Sequence, residues 1–258
     1  MANMEELHIA ASAYYWFATN EIRQHAEEFV NSMDANGDGR VTFNEFAQFI
    51  VQLGCARPDN YLFRGLDRNG DRSLDFFEVL TFYYVWKTRV VLCARCRSFQ
   101  LGLYFTCVAC FYNARSTGHT YDLCNVCYEE MGHQHWHPPH HSYFLDSYEL
   151  LRAEAGLPRL AGAPNVRCGY CRNYLMELYF TCVACFDNAR NTGHTYDLCC
   201  TCYRAGRHQQ QHPHHNNFWD SYVLLRARTG LPFLAGAQQV RKMFLFFSFS
   251  FWFEKYKE

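Results

Sequence analysis

Six pairs of cysteines with the spacing C-x2-C constrain the fold of this chain more than any other feature. They account for 12 of the 14 cysteines and leave over Cys55 and Cys200. A C-x2-C turn places two thiolates on one side of a tight loop, and two such pairs complete a tetrahedral zinc site. The first residues, MANMEELHIA, lack the basic segment and apolar run of a secretion signal. We therefore expect zinc sites rather than disulfides, in a cytoplasmic protein, with the nucleus as the alternative compartment.

The cysteine-rich region consists of two copies of one module. Residues 103–124 and 178–199 match at 20 of 22 positions, at an offset of 75 residues. We place copy 1 at residues 89–162 and copy 2 at residues 163–238. The Gly/Pro-containing stretch 155–164 is predicted to link them.

A short helix is predicted at the end of each copy. Its expected N-cap is Ser147 in copy 1 and Ser221 in copy 2, and its expected terminal glycine is Gly156 or Gly230. Both copies thus end in the same local structure.

Charge divides the chain at the start of the cysteine-rich region. Residues 1–86 carry 13 acidic and 6 basic side chains, and residues 87–258 carry 12 acidic and 18 basic ones, so the net charge of −1 combines −7 with +6. A near-neutral chain is not built to neutralise the phosphates of DNA or RNA, and we expect no nucleic-acid partner.

A calcium-loop motif occupies residues 34–45, with the sequence DANGDGRVTFNE. Short oxygen-bearing side chains recur at alternate positions, and Gly39 at position 6 permits the positive φ of the sharp turn. We call this segment loop 1. Its predicted calcium ligands are Asp34, Asn36, Asp38, Arg40 through its carbonyl, and Glu45.

A second loop of the same pattern, loop 2, occupies residues 67–78, DRNGDRSLDFFE. Position 6 is Arg72, and a non-glycine residue at positive φ costs about 1–2 kcal/mol. We expect weaker calcium binding there, or a purely structural role in pairing with loop 1. Its predicted ligands are Asp67, Asn69, Asp71, Ser73 and Glu78.

With these two loops, residues 20–88 resemble an EF-hand pair of the calmodulin-like kind. The resemblance implies a single lobe of four helices whose loops pair back to back. We therefore predict an EF-hand domain over residues 1–88.

Each copy offers three cysteine pairs and a histidine cluster as metal ligands. The cysteines are Cys93, Cys96, Cys107, Cys110, Cys124 and Cys127 in copy 1, and Cys168, Cys171, Cys182, Cys185, Cys199 and Cys202 in copy 2. Six cysteines leave one half-site unpaired, so histidines are expected to complete a second zinc. Histidines recur six and ten residues after the last cysteine, as His133 and His137 and as His208 and His212. Reserve candidates are His140, His141, His214 and His215, whereas Gln210 replaces His135 in copy 2.

Three cysteine pairs followed by a histidine pair, with TYDLC opening the third pair, resemble the ZZ-type zinc finger. The resemblance implies that the first and third pairs share one zinc, and that the second pair and the histidines share another. Two zinc ions per copy are thus expected. The segment 111–123 is longer than in that family, and the insertion could change which pairs share a metal. The plant family of divergent cysteine/histidine-rich fingers is the alternative resemblance.

The predicted fold class is α plus small zinc-stabilised modules. An EF-hand helical lobe precedes two tandem zinc-finger domains, each with short β-hairpins and a short C-terminal helix, and an aromatic tail covers residues 239–258. The apolar run 244–253 is too short to span a bilayer, and membrane-surface contact and packing on the lobe both remain open for it.

Zinc sites saturated by protein ligands are structural, so we expect no enzyme. The expected function is a calcium-responsive adaptor that binds protein or peptide partners through its zinc fingers. A RING-like ubiquitin ligase and a calcium buffer without a target are the alternatives. Asp122 and Asp197 match an acid that holds peptide N-termini in some ZZ fingers, but bracing of the zinc loop is the favoured role.

Overall fold

The computed structural model describes residues 4–52, 60–89, 91–131, 143–156, 166–175, 178–211 and 217–229. Within these ranges the chain forms a helical N-terminal lobe followed by two modules of small sheets and short helices. None of the helices within these ranges combines the length and apolar character needed to cross a membrane.

Over residues 4–52 and 60–89, the N-terminal lobe contains five helices and one two-stranded antiparallel sheet. Its elements are α1 Met4–Phe17, α2 Asn20–Met33, β1 Val41–Thr42, α3 Phe43–Gln52, α4 Asn60–Leu66, β2 Ser73–Leu74 and α5 Phe76–Thr88. A capping box starts α5, because Asp75 accepts from the backbone of Glu78 and the Glu78 side chain accepts from the backbone of Asp75. Buried aromatic rings, among them Phe29, Phe46 and Phe82, fill the core of the lobe.

Copy 1 and copy 2 share one order of strands and helices, to which copy 2 adds the short helix α11, and the corresponding segment of copy 1 lies outside the described residues. Copy 1 has β3 Tyr104–Cys107, α6 Val108–Thr117, β4 Asp122–Cys124, α7 Asn125–Met131, β5 Phe144–Asp146 and α8 Ser147–Glu154. Copy 2 has β6 Tyr179–Cys182, α9 Val183–Thr192, β7 Asp197–Cys199, α10 Cys200–Arg204, α11 His208–Gln211, β8 Phe218–Asp220 and α12 Ser221–Thr229.

The sheets extend beyond the predicted hairpins. In each copy the first strand is central and pairs antiparallel with both others, so the order is β4-β3-β5 in copy 1 and β7-β6-β8 in copy 2. The long segment between the second and third cysteine pairs supplies α6, which ends at Gly118 with φ 77°. The central strand is therefore joined to its first neighbour through a helix rather than a tight turn.

The N-caps of the last helices are aspartates, and the prediction of Ser147 and Ser221 is wrong by one residue. Asp146 accepts hydrogen bonds from the backbone of Tyr148, at 2.6 Å, and of Glu149. Asp220 accepts in the same way from Tyr222, at 2.8 Å. The aspartate carboxylate reaches the N–H groups two and three residues ahead, so the serine already belongs to the helix.

Helix α1 joins the lobe to copy 2. It lies outside the segment 20–88 that resembles an EF-hand pair, and it packs against α5 on one side and α10 on the other. Leu7, Ala10 and Ala13 are fully buried in one cluster with Phe180 of the copy 2 sheet. The lobe and copy 2 therefore share a continuous apolar core.

The two copies also contact each other. The hydroxyls of Tyr104 and Tyr222 are 2.6 Å apart and buried, and the Arg226 guanidinium lies 3.1 Å from the Tyr222 hydroxyl. Tyr148 hydrogen-bonds the hydroxyl of Ser221. Both contacts join the last helix of copy 2 to copy 1, and helices α8 and α12 also pack together.

Candidate metal centres

A four-cysteine cluster forms in copy 1. The thiol sulfurs of Cys93, Cys96, Cys124 and Cys127 all lie within 4.8 Å of one another. The first pair sits on a turn in which the backbone N–H of Arg97, at φ 62°, donates to the carbonyl of Cys93. The third pair, Cys124 and Cys127, lies at the end of β4 and in α7, and this strand-to-helix step brings both sulfurs to those of the first pair.

Copy 2 repeats this cluster with Cys168, Cys171, Cys199 and Cys202. Arg172 has the same left-handed backbone, with φ 64°, and its N–H donates to Cys168. In both copies, then, the fold brings together the first and third cysteine pairs.

The geometry of both clusters fits a divalent metal with tetrahedral preference. Zinc–sulfur bonds of about 2.3 Å place the sulfurs of a tetrahedron about 3.8 Å apart. The sulfurs of Cys96 and Cys124 are 3.8 Å apart, and those of Cys171 and Cys199 are 3.9 Å apart. None of the 13 described cysteines forms a disulfide. Both clusters can therefore hold zinc.

The electrostatics of the thiols differ within each cluster. Burial raises the pKa of Cys96, but hydrogen bonds from Ser98 outweigh it and lower the pKa to about 7. In Cys168, backbone hydrogen bonds likewise outweigh burial and lower the pKa to about 7. Burial raises the pKa of Cys199 to about 11, and the neighbouring thiol of Cys168 adds to the shift. In each cluster one thiol, Cys96 or Cys168, thus has a lowered pKa, whereas burial raises the pKa of Cys124 or Cys199, and a bound cation favours ionisation of the latter two near neutral pH.

The second predicted zinc site of each copy is described only in part. Its cysteines lie at the end of the central strand and in the following helix, as Cys107 and Cys110 and as Cys182 and Cys185. Most of the candidate histidines lie outside the described residues: His133, His137, His140, His141, His212, His214 and His215. These second sites therefore stay predictions.

His208 is the one predicted histidine ligand within the described ranges, and it is in neither cysteine cluster. It is 4% exposed, and its ring packs near those of Phe17, Tyr203 and Phe218. Burial lowers its pKa, and its Nδ1 has no hydrogen-bond partner in the structure. The ring of His208 thus lies against Phe17 of α1, and the spacing of the histidines in the sequence does not predict this contact.

Loop 1 has a tightly hydrogen-bonded conformation. The carboxylate of Asp34 accepts backbone hydrogen bonds from Gly37 at 2.8 Å and from Gly39 at 2.7 Å. Glu45 accepts from the backbone and hydroxyl of Thr42, both at 2.8 Å, and these bonds lower its pKa. Gly39 has φ 82°. The loop is thus folded around its first and last carboxylates.

Loop 2 repeats this conformation and pairs with loop 1. Asp67 accepts from Gly70 at 2.8 Å and from Arg72 at 3.0 Å, and Arg72 has φ 67°. The two loops meet in the β1–β2 pair, in which Val41 is opposite Leu74. Among the described residues, the loop carboxylates do not form a group as tight as the cysteine clusters.

Two predicted ligands of loop 2, Asp71 and Ser73, are engaged by Arg40 of loop 1. The Arg40 guanidinium forms an ion pair with Asp71 and lies 2.8 Å from the Ser73 hydroxyl. Hydrogen bonds from Ser73 and then from Arg40 lower the pKa of Asp71 to about 2. The carboxylate therefore stays ionised at neutral pH and already has a cationic partner.

Asp122 and Asp197 are bracing residues rather than exposed anions. They are 7% and 4% exposed, and their carboxylates accept from the hydroxyls of Thr106, at 2.7 Å, and Thr181, at 2.6 Å. Burial raises the pKa of both aspartates. This environment disfavours capture of a peptide amine there and supports their role in joining the paired strands.

Sequence reasoning missed the role of Asp220. Its side chain is fully buried, accepts from Tyr84 and Arg89 of the lobe, and caps α12. The distance from Arg89 Nη2 to the carboxylate is 2.6 Å. An aspartate precedes the helix in both copies, so the cap was readable from the sequence, but the partners from the lobe were not.

Cys55, Cys200 and the aromatic tail belong to none of the predicted metal sites. Cys55 and the aromatic tail lie outside the described ranges. Cys200, which belongs to no pair, is 2% exposed and its thiol points to the carbonyl of Leu178 at 3.4 Å.

No protein-family model matches the chain, and neither the curated proteins nor the solved structures compared with it give a significant match.

Proposed function

We propose that this chain is a calcium- and zinc-binding adaptor without enzymatic activity, built from an EF-hand lobe and two ZZ-type zinc fingers. Zinc would be structural, because four thiolates leave no open coordination position for a substrate. The duplicated four-cysteine cluster, with sulfur spacings that suit a tetrahedral metal, carries the proposal.

Calcium binding is supported by the geometry of the paired loops. Both have the position-6 residue at positive φ and the first carboxylate folded into the loop. Loop 1 is expected to bind more tightly, because Arg72 strains loop 2 and Arg40 competes with a metal for Asp71.

The lobe has the features of a calcium-responsive element in its closed form. Phe46 and Phe49 are buried, as is most of the ring cluster around Phe82. Calcium binding to sensor lobes of this kind exposes such apolar residues. Because Tyr84 of α5 and Arg89, the residue that follows α5, hold Asp220 of copy 2, opening of the lobe would pull on the zinc modules.

Native mass spectrometry with metal analysis tests the proposal directly. Four zinc ions and one or two calcium ions per chain are expected, whereas disulfides and no zinc would reject it. The Arg72→Gly variant is expected to raise calcium affinity at loop 2, because glycine adopts positive φ without strain. Identical NMR shifts of the zinc modules with and without calcium would reject the coupling.

The ligase alternative predicts a catalytic signal. A ubiquitin discharge assay with the intact, zinc-loaded chain is expected to show no acceleration over the free conjugating enzyme. Acceleration that depends on the cysteine clusters would replace the adaptor with a ligase.

A further inference from the structure

Copy 1 and copy 2 present the same surface in two different states. In copy 2 it comprises Leu178, Phe180, Cys200 and Tyr203, the Leu178 face. In copy 1 the equivalent residues are Leu103, Phe105, Asn125 and Tyr128, the Leu103 face. Three of the four positions are identical between the faces.

The two faces have the same shape. The rings of Phe180 and Tyr203 stack at a centroid distance of 4.1 Å with 20° between planes. The rings of Phe105 and Tyr128 stack at 4.0 Å with 17°. Because both copies have this stack, the Leu103 face is already folded in the conformation of the Leu178 face.

Among the described residues, a helix covers only the Leu178 face. Leu178 is 4% exposed and Phe180 is fully buried, whereas Leu103 is 43% exposed and Phe105 is only half-buried. Tyr203 is 6% exposed, and its counterpart Tyr128 is half-buried. An apolar surface that is buried at one site of a molecule is thus partly open to solvent at the equivalent site.

The cover on the Leu178 face is helix α1, and it shows what this kind of surface accepts. The ring of Tyr14 lies 5.6 Å from that of Phe180, and the ring of Phe17 lies 5.3 Å from that of Tyr203. Ala10, one turn earlier on the same helix face, is fully buried and lets the backbone approach closely. The surface thus takes a small residue followed by two aromatic ones at helical spacing.

Charge separates the two faces at one end. Copy 2 has Arg204 and Ala205 directly after Tyr203, whereas copy 1 has the exposed residues Glu129 and Glu130 after Tyr128, and Glu130 forms an ion pair with Arg95 at 2.9 Å. Tyr203 contacts the C-terminal end of α1, so in copy 1 this acidic pair lies where the C-terminal end of an equivalently docked helix would be. Basic residues are favoured there by Glu129 and by the helix dipole.

We propose that the Leu103 face of copy 1 is a docking site for an amphipathic helix of a partner protein. That helix carries an alanine-sized residue and two aromatic residues in the pattern of Ala10, Tyr14 and Phe17, followed by lysine or arginine at its C-terminal end. The proposal rests on the adaptor function and names the chemistry of the partner.

The test uses the intact zinc-loaded chain and a synthetic peptide with the sequence of residues 4–17 followed by two lysines. Fluorescence anisotropy or calorimetry measures binding. One peptide per chain is expected, and the Leu103→Glu variant is expected to weaken binding about tenfold or more, because it places a charge in the apolar contact. The Glu129→Arg variant, which copies the charge of Arg204, is expected to weaken binding several-fold at low salt.

Tyr112→Glu is the matched control for Leu103→Glu. Tyr112 is 59% exposed on α6 and is not part of the Leu103 face, so this change adds an acid to copy 1 outside the proposed contact. The control is expected to bind the peptide as the unmodified chain does. A second peptide that ends in two glutamates is expected to bind several-fold more weakly.

Four results would overturn the proposal. They are no binding of the lysine peptide, binding unchanged in Leu103→Glu, equal binding of both peptides, and dimerisation of the chain that Leu103→Glu abolishes. Unchanged binding would mean that the peptide displaces α1 from copy 2, and such dimerisation would make a second copy the occupant. Zinc and calcium are counted on the same samples, so a failed docking site with intact metal content leaves the adaptor function standing.

Discussion

Copy 1 and copy 2 are nearly identical in sequence at their centres, yet they are integrated into the molecule differently. Each folds the same three-stranded sheet and the same four-cysteine cluster. Copy 2 additionally receives α1 on its Leu178 face and the side chains of Tyr84 and Arg89 at Asp220. Copy 1, which directly follows the lobe in sequence, leaves its Leu103 face partly exposed.

The difference separates what the repeat encodes from what its surroundings add. Sheet and cluster arise from residues that the copies share, so each copy builds them independently. Burial of the aromatic face depends on a helix that occurs only once in the chain. Asp146 and Asp220 occupy equivalent positions of the two copies and show this difference. Both cap a helix, but of the two only Asp220 also pairs with a buried arginine.

The largest expected effect comes from the zinc ligands. Cys168→Ser and Cys93→Ser are each expected to remove one zinc per chain, because each variant takes one of the four thiolates from a tetrahedral site. The effect is expected to be large, since structural zinc contributes about 10–16 kcal/mol to the folding of small zinc domains. Loss of the copy 2 cluster is expected also to loosen α1, which shares its core, whereas loss of the copy 1 cluster is expected to leave α1 in place. Native mass spectrometry and near-ultraviolet circular dichroism measure both outcomes. Equal loss of tertiary signal in the two variants would contradict the comparison.

The next effect is at the helix-capping aspartates. Asp220→Asn is expected to lower the free energy of unfolding by about 3–5 kcal/mol, because it leaves the buried Arg89 without an anionic partner. Asp146→Asn is expected to change it by less than about 1 kcal/mol, because asparagine caps helices nearly as well as aspartate. Guanidinium unfolding of both variants provides the measurement. Similar losses would mean that the ion pair to the lobe contributes little.

Truncation of the stacked phenylalanines compares the faces themselves. Phe180→Ala is expected to cost about 3–5 kcal/mol, because the ring is fully buried beneath α1. Phe105→Ala removes a half-buried ring and is expected to cost about 1 kcal/mol. Urea unfolding curves distinguish the two values. A cost at Phe105 as large as that at Phe180 would show that the Leu103 face is covered in solution.

The smallest effect concerns two equivalent tyrosines at the contact between the copies. Tyr222→Phe is expected to cost about 1–2 kcal/mol, because it leaves the buried Tyr104 hydroxyl without its closest partner. Tyr148→Phe removes a hydrogen bond to Ser221 in a partly buried setting and is expected to cost about 0.5–1 kcal/mol. Thermal unfolding at fixed zinc and calcium measures the difference. A larger loss for Tyr148→Phe than for Tyr222→Phe would mean that the hydrogen bond between Tyr148 and Ser221 is the stronger of the two contacts between the copies.

The parts of the fold that depend on local spacing could be predicted from the sequence. The cysteine spacing indicated metal clusters, and the structure brings Cys93 and Cys96 together with Cys124 and Cys127. The loop motifs indicated a glycine-like backbone at Gly39 and Arg72, and both have positive φ. Such features depend on a few neighbouring residues, whose chemistry has one local solution.

The parts that depend on contacts between distant segments could not be predicted. Nothing in the sequence of α1 assigns it to copy 2, since the Leu103 and Leu178 faces share three of four residues. The pairing of Arg89 with Asp220 spans 131 residues and follows from packing of the whole molecule. Helix α6 is not predicted for a different reason: the sequence shows its segment only as an insertion relative to the ZZ-type finger.

Hydrogen–deuterium exchange of the Ala10→Glu variant tests the central claim that α1 covers copy 2 alone. Ala10 is fully buried, so a glutamate there is expected to separate α1 from the Leu178 face. With zinc and calcium bound, residues 179–182 and 200–204 are expected to exchange faster than in the unmodified chain, whereas residues 104–107 and 125–131 keep their rates. Faster exchange in both copies, or in neither, would contradict the account.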